Sequence, residues 1–322
     1  MVGRILSRFF IIFVVALNIN NAWAYMPSHP AGDPNFTVLP SGQDLKKMKV
    51  SGVSLYLAKG KGTAFTSTQQ ASYEKIRSES KTKANYPVQW VLMDLDNHRV
   101  LDRSAESNRK IFGASVSKIY VAATLLDKQA GKLSESQMQL MSNMLVVSSN
   151  TAWTNLQQQI GNGNSNLGRE TIHKFTQRMD YKRTRGFQGY WGNIHGNELT
   201  AAELAEFLYD TYKDQYPGAE TVWKIMHTYR TGSNRAHKYI PSSVYIGGKT
   251  GTYDGPTVDP ETGSSKRSDG SAYTVRVRNQ VIAFNLNGKE YGLSILADTG
   301  SDESAAALAG GLIRSLVKSR FR

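Results

Sequence analysis

Between Ile119 and Leu126 the chain reads Ile-Tyr-Val-Ala-Ala-Thr-Leu-Leu, and Gly131 stops the run. On a helix, Ile119, Val121, Ala122, Ala123, Leu125 and Leu126 cover nearly the whole circumference. A helix that is apolar all round has no face to offer water and must lie at the centre of a fold. The chain has to be long enough to enclose it. With 322 residues, 40% of them hydrophobic and 20% charged, it can bury a full core as one large domain or two lobes.

The elements around that helix fall into three blocks. Val88–Leu95 is strand-like, turns at Asp96-Asn97 and returns through Arg99–Leu101. From about Ser134 to Lys224 the character is helical, with helices predicted over Met138–Val147, Thr151–Ile160, Glu170–Met179 and Thr200–Tyr212. A long aromatic and glycine-bearing loop, Asp180–Asn197, separates the last two. Strand chemistry returns at Val244–Ile246. A polar insertion (Asp254 to about Ser271) precedes Val281–Leu286, and Asn287-Gly288 joins that strand to Tyr291–Leu296 as a hairpin. The helix Glu303–Val317 closes the chain with acids at its start and bases near its end. Upstream, a strand is predicted at Val50–Leu57 and a polar surface helix over Ser67–Lys81. The whole reads as an α/β (α+β) fold: an antiparallel sheet flanked by helices, with an all-helical lobe inserted at about 132–225.

Composition removes several chemistries. There are no cysteines, hence no disulfide, thiolate metal site or cysteine nucleophile. The six histidines include no pair at helical ligand spacing, so no metal and no cofactor are expected. Arg4 and Arg8 precede the apolar run Phe9–Leu17, and Ala22-Trp23-Ala24 offers a cleavage site. That is the pattern of a secretory signal over residues 1–24, the alternative being a retained anchor. The expected product is a periplasmic protein starting near Tyr25, with a mobile leader from Met26 to about Ser41, an N-terminal segment to residue 86 and a main domain over 87–322. No membrane span remains after signal removal. The formal charge of +13 then points away from nucleic acid and towards a carboxylate-rich polymer such as peptidoglycan. Nothing in the sequence sets the oligomeric state.

Three short motifs carry chemistry. Ser115-Val116-Ser117-Lys118 opens the buried helix. Ser-x-x-Lys recurs elsewhere, at Ser78, Ser80, Ser107 and Ser315 for example, but only at Ser115 does it start a core helix. There the spacing puts hydroxyl and amine on one face, beside the positive end of the helix dipole. A lysine pressed against apolar surface also loses basicity and can act as a base. Ser148-Ser149-Asn150 is the second motif, which on its own reads equally as a helix cap. Lys249-Thr250-Gly251-Thr252, at the end of a strand, is the third, and on its own reads as a strand-ending turn.

In this order, Ser-x-x-Lys, Ser-x-Asn and Lys-Thr-Gly resemble the signature of the serine β-lactamases and penicillin-binding D,D-peptidases. The flanking sequence from about Pro87 onward is most similar to the class A β-lactamase catalytic domain, including Met226–Ser233, Val281–Asp298 and the terminal helix. The resemblance implies that Ser115 is the nucleophile, Lys118 its base or part of the proton route, and Ser148 the donor to the leaving nitrogen. Asn150 would hold the substrate's side-chain amide. Lys249 would support Ser148, with Thr250, Gly251 and Thr252 lining the substrate-carboxylate site. The backbone N–H groups of Ser115 and Thr252 would form the oxyanion hole. Arg235, six residues before Pro241, takes the place of a carboxylate-binding arginine, with Arg278 as a weaker candidate.

Two features depart from that pattern. No glutamate occurs between Thr171 and Asn197, where class A enzymes carry the base for deacylation. If Arg185 and Glu198 close the loop as an ionic neck, the expected position falls near Phe187-Gln188. The interval from Ser115 to Ser148 is also about half that of class A. The implied function is a serine hydrolase that forms an acyl-enzyme with a β-lactam or a D-Ala-D-Ala-type amide of a peptidoglycan stem peptide, with slow deacylation. A D-Ala-D-Ala carboxypeptidase or endopeptidase, a non-catalytic cell-wall or β-lactam binding module, and a basic envelope protein that adheres to peptidoglycan or anionic lipid are the alternatives.

Overall fold

The computed structural model describes Pro30 and residues 32–185 and 197–318. The signal sequence and the Phe187-Gln188 position lie outside the described residues. Five antiparallel strands form the central sheet: β3 (Val88–Asp94), β4 (Arg99–Arg103), β7 (Ile246–Pro256), β8 (Thr274–Leu286) and β9 (Lys289–Ala297), in the order β4-β3-β9-β8-β7. Two further pairs are short: β1 (Lys49–Val50) with β2 (Val53–Ser54), and β5 (Ile111–Phe112) with β6 (Glu198–Leu199).

Every residue of β3 is buried, because the sheet is covered on both faces. Side chains alternate across the pleat. Trp90 and Leu92 pack with Leu293 and Ile295 beneath α1 (Ser67–Thr82), α8 (Ala236–Tyr239) and the terminal α9 (Asp302–Lys318). Val91 and Met93 face the other way, into the helical lobe. That lobe holds the all-apolar helix α2 (Lys118–Lys128), enclosed by α3 (Glu135–Val146), α4 (Asn150–Ile160), α5 (Ser165–Arg178), α6 (Ala201–Tyr212) and α7 (Ala219–Met226). Lys118 to Leu126 are all buried. Helix α9 lies close enough on α1 that a Cβ at Gly311 would stand 2.1 Å from the Tyr73 ring; the contact requires glycine.

Three expectations need correction. The mobile leader is in fact packed from Phe36 onward. Phe36 and Leu39 are 1% and 2% exposed in the lobe's core, Phe36 meets the His227 ring edge-on, and Lys224 Nζ donates to Val38 O at 2.6 Å. The Pro-, Gly- and Asp-rich composition supplies turns, and two isolated apolar residues are enough to seat them. Residues 36–86, α1 included, are therefore part of the packed body. The single strand expected at Val50–Leu57 is a tight two-stranded turn instead. Lastly, β7 does not end at Thr252 but runs to Pro256, and β8 begins at Thr274. The polar insertion is the end of one long hairpin: Asp254–Pro256 still pair in the ladder, and residues 257–273 form the loop that joins the two strands.

Candidate active site

A turn of 3-10 helix, Ala114–Ser117, leads into α2 and presents Ser115 half-buried at its start. Ala114 takes a left-handed φ of 49°, costly for a residue with a Cβ, so the turn is over-determined by its surroundings. Asn197 Nδ2 donates to Ala114 O at 3.0 Å, and Gly113 N–H donates to Asn197 O at 2.6 Å. From the sheet, Asn279 Nδ2 donates to Phe112 O (2.8 Å) and Gly113 O (3.2 Å), while its Oδ1 accepts the Ala297 N–H (3.0 Å). Strand β7 backs directly onto the turn. A Cβ at Gly251 would lie 2.6 Å from Gly113 O and 3.1 Å from Ser115 N, which is why the strand carries glycine there.

The three motifs converge on Ser148. Ser149, the middle residue of the second motif, caps α4 through its hydroxyl, accepting from Ala152 N–H at 3.2 Å. That leaves Ser148, at a left-handed φ of 63°, and Asn150 to face the lysines. Lys118 Nζ donates to Ser148 O (2.6 Å) and Asn150 Oδ1 (2.7 Å) and lies 3.2 Å from Ser148 Oγ. Lys249 Nζ reaches the same hydroxyl at 2.9 Å and donates to Thr250 O at 2.7 Å. Both lysines are 0% exposed, and the Trp153 ring lies 5.0 Å from Lys118 Nζ. Among the described residues neither ammonium has a carboxylate partner. Burial pulls Lys118 down to about 7. Burial, with Lys118 and Arg235 nearby, holds Lys249 well below the usual lysine range.

A neutral amine keeps two N–H donors and one lone pair. At Lys118 the carbonyl oxygens of Ser148 and Asn150 take the two donors. The lone pair is then left for a hydroxyl proton, the requirement for a base at neutral pH.

Across the cleft, Thr250 Oγ1 donates to Thr231 Oγ1 at 2.6 Å, and the Thr252 side chain is exposed. Arg235 is placed behind these residues rather than in the open. It is 3% exposed, its Nε donates to Asp302 at 2.6 Å, and its Nη1 donates to Gly251 O (3.1 Å) and Asn279 O (2.9 Å). Nη2 donates to the Thr252 hydroxyl, so the arginine reaches the cleft through that threonine. Arg278 clamps Asp254 at 2.7 and 2.8 Å.

Carboxylates gather elsewhere. Glu198, 5% exposed, accepts from Arg185 Nε (2.7 Å) and pairs with Lys110 Nζ (3.0 Å). Arg185 and Glu198 also exchange backbone hydrogen bonds. The ionic neck expected from sequence is therefore formed, and Glu198 is held in it. The segment between, 186–196, contains no Asp or Glu.

The profile of the β-lactamase enzyme family matches residues 136–319, more than half of the chain. The chain belongs to the β-lactamase enzyme family. Ser148, Asn150, Arg235 and the Lys249–Thr252 motif fall inside the matched residues; Ser115 and Lys118 precede them. Solved β-lactamases share the family fold with it. Those of Chitinophaga pinensis (14% identity, TM-score 0.58, 79% of this chain and 100% of that one) and Streptosporangium roseum (17%, 0.57, 79% and 100%) are two, and the TLA-3 extended-spectrum β-lactamase (15%, 0.59, 77% and 99%) is another. No curated protein sequence matches.

Within this family member, sequence reasoning missed Asn197, Asn279, Trp153 and Thr231. Asn279 stands just before the strand predicted at Val281–Leu286, where an amide drawn into the sheet needs a partner. The others follow only from contacts across the fold.

Proposed function

We propose that the chain is an exported, periplasmic serine hydrolase of class A type that acylates Ser115 with a β-lactam or a D-Ala-D-Ala-type amide. The observation that carries this reading is the shared grip of two buried, unneutralised lysines on Ser148 Oγ, next to the Ser115 turn. Lys118, neutral in a fraction of molecules at pH 7, accepts the Ser115 proton as Oγ attacks the carbonyl carbon. The N–H groups of Ser115 and Thr252 receive the oxyanion, an arrangement worth about 3 kcal/mol of barrier per donor. Ser148, between the two amines, relays the proton to the departing nitrogen. Asn150 takes the substrate amide. Thr250 and Thr252 take its carboxylate in the positive field of Lys249 and Arg235.

Deacylation is slow in this account. With Glu198 held by Arg185 and Lys110, no carboxylate among the described residues joins the Ser115–Lys118–Ser148 cluster to activate water. That favours, as a second reading, a D-Ala-D-Ala carboxypeptidase or endopeptidase acting on peptidoglycan. Intact-mass measurement after penicillin treatment tests the proposal. The expected result is one penicilloyl addition on the wild type, mapped to the peptide containing Ser115, and none on Ser115→Ala. A wild type that stays unmodified while folded contradicts it.

A further inference from the structure

The loop between β7 and β8 folds back on itself, with Thr257 N–H donating to Tyr273 O and Arg267 N–H to Ser271 O, both at 2.9 Å. Glu261 fastens it to the body, accepting from Lys110 N–H at 2.7 Å and from Arg183 Nη2 at 2.7 and 2.8 Å. Between this loop, β5 and the start of β8 lies a recess of about 630 Å³, within the size range of small-ligand sites.

Arg267, Arg276, Asp259 and Asp298 line it, over a floor that includes Phe112 and Val275. Among the described residues none of these four charged side chains makes an ion pair. Their neighbours do: Lys110 with Glu198 at 3.0 Å and Arg109 with Glu106 at 3.5 Å. Arg267 gives one N–H to Thr274 O (2.6 Å). Asp259 Oδ1 accepts the Glu261 and Thr262 N–H groups, and Asp298 Oδ1 accepts the Arg276 N–H. Each carboxylate keeps its other oxygen, and each guanidinium keeps several donors. Burial raises the Asp298 carboxyl above its usual range, so a cation beside it would favour its charged form.

Two cations and two anions without ion-pair partners, beside the paired Arg109 and Lys110 that also line the recess, suit a ligand that carries both signs. We propose that this recess binds a zwitterionic amino-acid group, its carboxylate received by Arg267 and Arg276 and its ammonium by Asp259 and Asp298. The fork of a guanidinium matches a carboxylate in two-point fashion, and the apolar floor accepts the carbon chain. The site is independent of Ser115.

Isothermal titration of the purified protein at low salt tests this, with meso-diaminopimelate as the zwitterionic probe and its doubly N-acetylated form as the anion-only control. The expected result is binding of the zwitterion and at least ten-fold weaker binding of the control. Arg276→Ala, an exposed position, and Asp298→Asn each weaken binding at least ten-fold, while Ser115→Ala binds as wild type does. A tetrapeptide bearing the same diamino acid runs in parallel. Tighter binding of the peptide shows that the group is recognised on a peptide, and equal binding that the free amino acid suffices; both support the proposal. No binding of either probe overturns it, as does equal affinity for the N-acetylated form or unchanged affinity in an Arg276→Ala protein with a wild-type melting curve.

Discussion

Two clusters of charge include residues that flank the Ser115 turn in sequence, Lys110 in one and Lys118 in the other, and they are built on opposite rules. In the belt formed by Arg183, Arg185, Lys110, Glu198 and Glu261, each cation faces a carboxylate at 2.7 to 3.0 Å. In the cluster of Lys118, Ser148, Asn150 and Lys249, two buried amines meet hydroxyl and carbonyl oxygens but no carboxylate. The belt fastens segments distant in sequence to one another. The lysine cluster leaves the cost of burying charge uncompensated, and that cost moves a lysine into the range where it can give and take protons. Neutralisation marks the scaffold here, and its absence marks the chemistry.

The largest test of that contrast removes a member of each cluster. Lys118→Ala should slow penicilloylation by about 10²–10⁴-fold, the span of general-base contributions, with the protein still folded. Glu261→Gln should change the same rate less than about three-fold. Comparable losses in both, read by stopped-flow labelling, would dissolve the distinction. Asn279→Ala comes next. It strips the partners from Phe112 O, Gly113 O and Ala297 N–H inside the fold, and should cost about 2–3 kcal/mol in a denaturant titration while also slowing acylation, since the Ser115 turn loses its anchor.

The pH profile sharpens the comparison. Below about 7 the Lys118 amine is protonated and has no lone pair, so the labelling rate should rise with pH through about 7; a rate flat from pH 5 to 9 contradicts the assignment. Stability shows the same shift with a definite sign. The folded lysine holds its proton less tightly than the unfolded one, whose ordinary value is 10.5. Between about 7 and 10.5 the unfolded chain therefore binds more protons, and this group's contribution to stability rises with pH. The smallest effect belongs to Ser149, whose hydroxyl caps α4 and touches neither lysine. Ser149→Ala should cost about 1 kcal/mol of stability and leave labelling near the wild-type rate.

Much of this was legible in the sequence. The all-apolar helix after Ser115, the hairpin at Asn287-Gly288 and the apolar strand runs at Val88–Leu95, Val281–Leu286 and Tyr291–Leu296 rest on local pattern, which a single chain displays. So does the order of the three motifs. What local pattern cannot show is which polar residue meets which. Phe36 and Leu39 looked like loop residues because two apolar side chains have no period. The β7–β8 hairpin extends further than its apolar runs because its outer rungs, Thr252–Pro256 against Thr274–Arg278, are largely exposed, and polarity there says nothing about pairing. Arg235 was recognisable by position, yet its place behind Thr252 depends on Asp302, 67 residues away, and no spacing rule reaches that far.

The measurement that tests the account most directly follows the Ser115 adduct in time. Purified protein is mixed with a fluorescent penicillin, excess reagent is removed, and the bound label is followed at pH 7. The account predicts a label that forms on Ser115, is absent from Ser115→Ala and from Lys118→Ala over the same interval, and persists for many minutes because no carboxylate activates the deacylating water. A label that clears within seconds would contradict it, showing that another group supplies the base and that the carboxylates held in the belt are not the reason for slow turnover.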